Sequence, residues 1–98
     1  MLEGFQNINK AFESKVRLGI MAVLMVNEES DSNTLKELLS LTDGNLASHT
    51  RALEELGYIV CQKSFVGRKP KTSFRATSEG KKAFKTHIEA LENFLKST

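Results

Sequence analysis

Eight bases fall between residues 61 and 85: Lys63, Arg68, Lys69, Lys71, Arg75, Lys81, Lys82 and Lys85. Glu79 is the one acid among them, so this quarter of the chain carries +7 in a protein whose net charge is +2. The remainder is acidic, at −2 over residues 1–40, −2 over 41–60 and −1 over 86–98. Ammonium and guanidinium groups gathered in this way can neutralise a polyanion and steer it to the surface. The plain alternative is a solvated, lysine-rich face.

Other candidates for chemistry are thinner. Ser48 and His49 pair a nucleophile type with a base type, but adjacent helical residues diverge by about 100° and cannot act on one proton. His49 reads as packing at the edge of the core or touching phosphate, and His87 as packing at a helix interface. Cys61 stands alone, which excludes an intrachain disulfide and a multi-cysteine zinc site. It reads as a small buried residue rather than a redox sensor. Met21 and Met25 read as core. The chain contains no HExxH, phosphate loop or GxGxxG, so the reading is not an enzyme, with no cofactor and no metal.

The elements that must position the basic segment are legible from periodicity. Phe5, Ile8 and Phe12 recur at helical spacing, and Val16, Ile20, Val23 and Leu24 continue a stripe. The pattern predicts a short N-terminal helix and a longer one over about residues 1–27, the second capped by Ser14. Ser32 or Asn33 would cap a helix over about 34–40 carrying Leu35, Leu38 and Leu39. After a short break, Thr42 or Asp43 would cap a further helix to about Leu56, with Leu46, Thr50 and Leu53 inward and Gly57 as its C-terminal cap. Two helices so joined make a helix-turn-helix pattern over 34–57. The period then changes. Tyr58–Phe65 and Thr72–Thr77 are rich in β-branched and aromatic residues, and Val66–Lys71 between them reads as the basic tip of a hairpin. Thr77 or Ser78 would cap a last helix to about Lys96, whose Phe84, Ile88, Leu91 and Leu95 form a seam like that of a coiled coil.

A helix meant for the major groove needs a short, polar outward face. Opposite Leu46, Thr50 and Leu53, the wheel places Gly44, Ser48, Arg51 and Glu55, with Asn45, Ala47 and Ala52 beside them. Asn45 suits adenine, Arg51 suits guanine or a phosphate, and the two alanines permit close approach. The bland reading is an ordinary amphipathic surface helix.

The element order resembles the winged-helix domains of bacterial and archaeal transcription regulators, in particular the small MarR-like and ArsR-like ones. The motifs that carry the likeness are Gly44-Asn45-Leu46-Ala47-Ser48-His49, Leu53, Gly57-Tyr58, Phe65-Val66-Gly67-Arg68-Lys69-Pro70-Lys71-Thr72 and Thr77-Ser78-Glu79-Gly80. Upstream, Val16-Arg17-Leu18-Gly19-Ile20-Met21 resembles the family's "R-L-I-L" helix, and the likeness covers about residues 14–85. It implies a mainly α fold with a small β-hairpin, of about five helices plus a two-stranded wing over 58–77. It further implies a sequence-specific regulator of double-stranded DNA. Thr42, Gly44, Asn45, Ala47, Ser48 and Arg51 would then lie at the recognition helix, and Lys63, Arg68, Lys69, Lys71 and Arg75 on the wing. Phe5, Ile8, Phe12, Phe84, Ile88, Leu91 and Leu95 would form a homodimer interface, with the C-terminal helix over 78–96 pairing; the alternative folds that helix back on its own domain. The expected action is repression by operator occupancy. A protein–protein adaptor and an RNA-binding module remain as rival readings, and whether a small-molecule effector exists is open.

Length and composition agree with one such domain. Ninety-eight residues that are 40% hydrophobic and 27% charged suit a single globular unit, reading as one winged-helix domain over 1–98. The longest apolar run, residues 19–26, is far short of the ~20 residues needed to span a bilayer. With no basic-then-apolar start, the expectation is a cytoplasmic protein without a membrane partner.

Overall fold

The computed structural model describes residues 4–97. Two short 3₁₀ segments, Phe5–Asn7 and Lys10–Glu13, precede helix α1 (Lys15–Val26) and strand β1 (Ser30–Asp31). Helices α2 (Ser32–Leu39) and α3 (Asp43–Glu55) follow, then strands β2 (Ile59–Val66) and β3 (Lys69–Ala76), and finally helix α4 (Ser78–Ser97). The strands form one antiparallel sheet in the order β1-β3-β2. Ile20, Met21 and Leu24 of α1 meet Leu35 of α2, Leu46 and Leu53 of α3, and Ile59, Phe74 and Ala76 of the sheet in a single core. The helix-turn-helix and the base of the hairpin therefore share one buried cluster, which fixes the angle between them.

Four expectations change. The first N-terminal helix is two 3₁₀ turns, because Asn9 between them is extended (φ −80°, ψ 121°). Its backbone N–H donates to His87 Nδ1 at 3.0 Å, its Oδ1 accepts from the Ala11 N–H, and its Nδ2 donates to Tyr58 Oη. These long-range bonds outweigh the local helical spacing of Phe5, Ile8 and Phe12. The hairpin gains a third strand, since Ser30 and Asp31 pair with Phe74 and Ser73. Two residues are too few to show a strand period. Asp31, not Ser32 or Asn33, caps α2 through the Thr34 N–H at 2.7 Å. Cys61 is exposed, because Ile59 is the one buried residue of β2 before the strand leaves the body of the protein.

Other caps fall where the sequence places them: Ser14 accepts from the Arg17 N–H, Thr42 from the Asn45 N–H, and Thr77 from the Gly80 N–H. Gly80 lets the first turn of α4 lie directly on β2's entry, where an added Cβ would stand 2.0 Å from the Tyr58 carbonyl oxygen.

The terminal apolar residues divide between chain core and surface. Phe12 is buried, with its ring centroid 5.5 Å from Phe84, 5.2 Å from His87 and 5.7 Å from Tyr58. Phe12 thus belongs to the core of its own chain and is not part of an exposed stripe. Ile8, Phe84, Ile88 and Leu91 are half-buried, while Phe5 and Leu95 are exposed. Phe5 packs at a tilt against Phe94, ring centroids 5.7 Å apart, holding the N-terminal segment along α4.

His87 is nearly sequestered, and a nitrogen that accepts the Asn9 N–H carries no proton. Burial pushes its pKa below the ordinary 6.5, with Glu13 opposing. The folded state therefore takes up this proton less readily than the unfolded one. Its share of stability is complete above pH 6.5 and is lost as the pH falls below that value. Thermal denaturation should show a melting temperature that declines on that acid side, with the decline reduced in His87→Gln. An identical pH profile in the variant would remove His87 from this role.

Candidate nucleic-acid interface

The turn between α2 and α3 is short and closed. Ser40 is left-handed (φ 54°), and both its N–H and that of Leu41 bond to the Lys36 carbonyl. Lys36 Nζ reaches Asp43 Oδ1 at 2.5 Å, tying the end of α2 to the start of α3. The sequence offered no sign of this contact, whose partners are seven residues apart on different helices. Leu46, Thr50 and Leu53 are buried, and the Thr50 hydroxyl returns to the Leu46 carbonyl at 2.9 Å.

That anchoring leaves Thr42, Gly44, Asn45, Ala47, Ser48 and Arg51 exposed along one side of the helix. His49 is not among them. It is half-buried against α1, where its Nδ1 lies 3.3 Å from Arg17 Nη1, and Arg17 Nε donates to the Ala11 carbonyl at 2.7 Å. Arg17 thereby braces the back of α3, a role that its place in a helical motif did not reveal.

The hairpin is longer and tighter than its sequence suggests. Val66 pairs with Lys69, so only Gly67 and Arg68 form the loop. Gly67 alone of the two has positive φ, at 65°, the pattern of a type II′ turn with glycine at its first central position. Lys63, Arg68, Lys69 and Arg75 are exposed, and Lys71 is half-buried. Strand alternation separates them. Lys63 pairs with Thr72 on the same sheet face as Cys61 and Phe74, whereas Arg75 pairs with Val60 on the other. Lys71 turns toward Asp31, whose carboxyl is held below its usual range by the Thr34 hydrogen bonds and by this lysine.

Between α3 and the wing lies an open cleft of about 320 Å³. Ala47, Arg51 and Glu54 line it from the helix, and Cys61, Lys63 and Thr72 from the sheet. Desolvation and Glu54 push the Cys61 thiol up, with Lys63 opposing, so the thiolate is disfavoured despite its exposure. Among the described residues no three His, Cys, Asp or Glu side chains converge on a metal position. Arg51 and Lys63 place one cation on either side of this concave surface, and Asp43 and Glu54 line it as well. Lys81, Lys82 and Lys85 are exposed on the first half of α4.

Comparison with known proteins decides the family. The model of the winged helix DNA-binding domain matches residues 16–95. The chain belongs to that family. A relative from Methanocaldococcus jannaschii, itself uncharacterised, is 44% identical over 79 residues, or 81% of this chain and 86% of that one. Among solved structures, a transcriptional regulator homologue from Pyrococcus horikoshii OT3 superposes with a TM-score of 0.87 at 30% identity. The match covers 95% of this chain and 94% of that one. A MarR-like transcription regulator from Bacillus cereus ATCC 10987 has the same fold, with a TM-score of 0.71, 23% identity and coverage of 93% and 68%. The winged-helix family thus accounts for the arrangement of α2, α3, β2 and β3. No helix among the described residues is long and apolar enough to cross a membrane.

Proposed function

We propose that this winged-helix chain is a sequence-specific, double-stranded-DNA-binding regulator that works as a homodimer in the cytoplasm and represses by occupying its operator. The observation that carries the reading is the pairing of α3's small, polar, exposed side with an acid-free basic hairpin across an open cleft. In this reading Asn45, Ser48 and Arg51 meet base edges or the backbone along the helix, while Thr42, Gly44 and Ala47 permit close approach. Lys63, Arg68 and Lys69 meet phosphates or the minor groove, with Lys71 adding charge on the other sheet face and Arg75 further back on its strand. Ile8, Ile88 and Leu91, together with the exposed Phe5 and Leu95, supply apolar surface for a second copy. The described residues then act as one DNA-binding unit with α4 as its pairing helix.

The wing is expected to supply affinity more than choice of sequence. The double variant Arg68→Ala, Lys69→Ala should weaken binding to operator and random duplexes by similar factors. If both side chains neutralise phosphates, the slope of log K against log salt should fall by about 1.8, at ~0.9 per phosphate. Titrations at two salt concentrations measure this directly. An unchanged slope with unchanged affinity would remove the wing from the interface.

A further inference from the structure

Phe65 has no core to serve. It is 73% exposed, the most exposed aromatic ring among the described residues, and lies one pair from the closing Val66–Lys69 pair of the hairpin. We propose that Phe65 is an apolar wedge that enters the minor groove beside the α3 site and partly unstacks one base step. The inference rests on the DNA-binding reading of α3 and the wing, and it adds a contact that charge does not supply.

Three observations converge. Strand register sets Phe65 opposite Pro70, on the sheet face shared by the Lys63–Thr72 and Cys61–Phe74 pairs. That face turns toward α3, since Cys61, Lys63 and Thr72 line the cleft against Ala47 and Arg51. A duplex held by α3 would therefore meet the Phe65 side of the wing. Second, the ring lies in a basic hairpin: Lys63 shares its sheet face, Arg68 stands in the adjoining turn, Lys69 and Lys71 project from the other face, and no acid occurs between Glu55 and Glu79. An occupant must be polyanionic and must also accept an aromatic ring, and stacked bases flanked by phosphates meet both demands. Third, the hairpin closes tightly beside the ring. The two-residue turn and the fixed φ of Pro70 limit how far the Phe65–Pro70 pair can fold away from an approaching surface. Wedges of this kind favour pyrimidine–purine steps, whose unstacking costs least.

The experiment uses the full chain and short duplexes carrying 2-aminopurine at TpA steps, whose fluorescence rises when the base unstacks. Wild-type protein should raise the signal at saturation. Phe65→Ala, an exposed position whose loss leaves the core untouched, should bind about tenfold more weakly and lose the signal. Its slope of log K against log salt should stay that of wild type, because no phosphate contact is removed. Phe65→Trp should keep both affinity and signal. Wild-type affinity in Phe65→Ala would overturn the wedge, and so would weaker binding with the fluorescence rise retained. Failure of wild-type protein to bind any duplex would overturn the reading on which the wedge rests, a result distinct from binding in which Phe65 is idle.

Discussion

Leu91→Glu is expected to give a folded monomer that binds operator DNA at least about a hundredfold more weakly than wild type, the size of the avidity lost when two linked half-sites become one. Helix α4 is held to its own chain by Phe84 on Phe12, by His87, by the burial of Ala90 and by Phe94 against Phe5. Leu91 lies within that stretch yet is only half-buried, in a molecule whose longest dimension is 55 Å against 25 and 21 Å for the others. A carboxylate there should spoil an apolar contact between copies while sparing the core cluster around Ile20, Leu24 and Leu53. Sedimentation and circular dichroism together check the outcome: a monomer with wild-type helicity is expected. A wild-type protein that sediments as a monomer at micromolar concentration would end the dimer reading, and so would a Leu91→Glu dimer with full affinity.

The second large effect concerns choice of sequence. Arg51→Ala or Asn45→Ala should cost about 1–3 kcal/mol on the operator and much less on random DNA, if either side chain makes a bidentate base contact. Both side chains are exposed. Asn45 spends its backbone N–H on the Thr42 cap, and no side-chain hydrogen bond to either residue competes with DNA among the described residues. Competition binding against mixed-sequence duplex separates the two roles. Equal losses on both DNAs would reassign the residue to backbone positioning. Full specific binding by both variants would refute α3 as the reading helix.

Much of this architecture is legible in the amino-acid sequence, for identifiable reasons. Leu46, Thr50 and Leu53 announce the buried side of α3 because helical period and burial coincide there. Ser14, Thr42 and Thr77 announce helix starts because a side-chain oxygen beside free amides is a local signal. What stayed hidden was long-range. Asn9 breaks the N-terminal helix through bonds to His87 and Tyr58, 78 and 49 residues away. The pairing of Ser30 and Asp31 with β3 is equally remote in sequence. Phe65 is a β-forming residue type and Cys61 a commonly buried one, yet neither is buried, since residue type does not tell where a hairpin outruns the body that would cover it. In the candidate interface the exposed residues of α3 and the wing were legible singly. Their cleft, the division of Lys63 from Arg75 by strand face, and the Lys36–Asp43 tie required the fold.

The central claim is that α3 selects the sequence while the wing supplies salt-dependent affinity. Its most direct test is titration of wild-type protein against the duplex upstream of its own coding region and against a random duplex, each at two salt concentrations. The account predicts tighter binding to the upstream duplex and a steep loss of affinity with salt on both. Binding that is indifferent to salt, or no binding to either duplex, would contradict it.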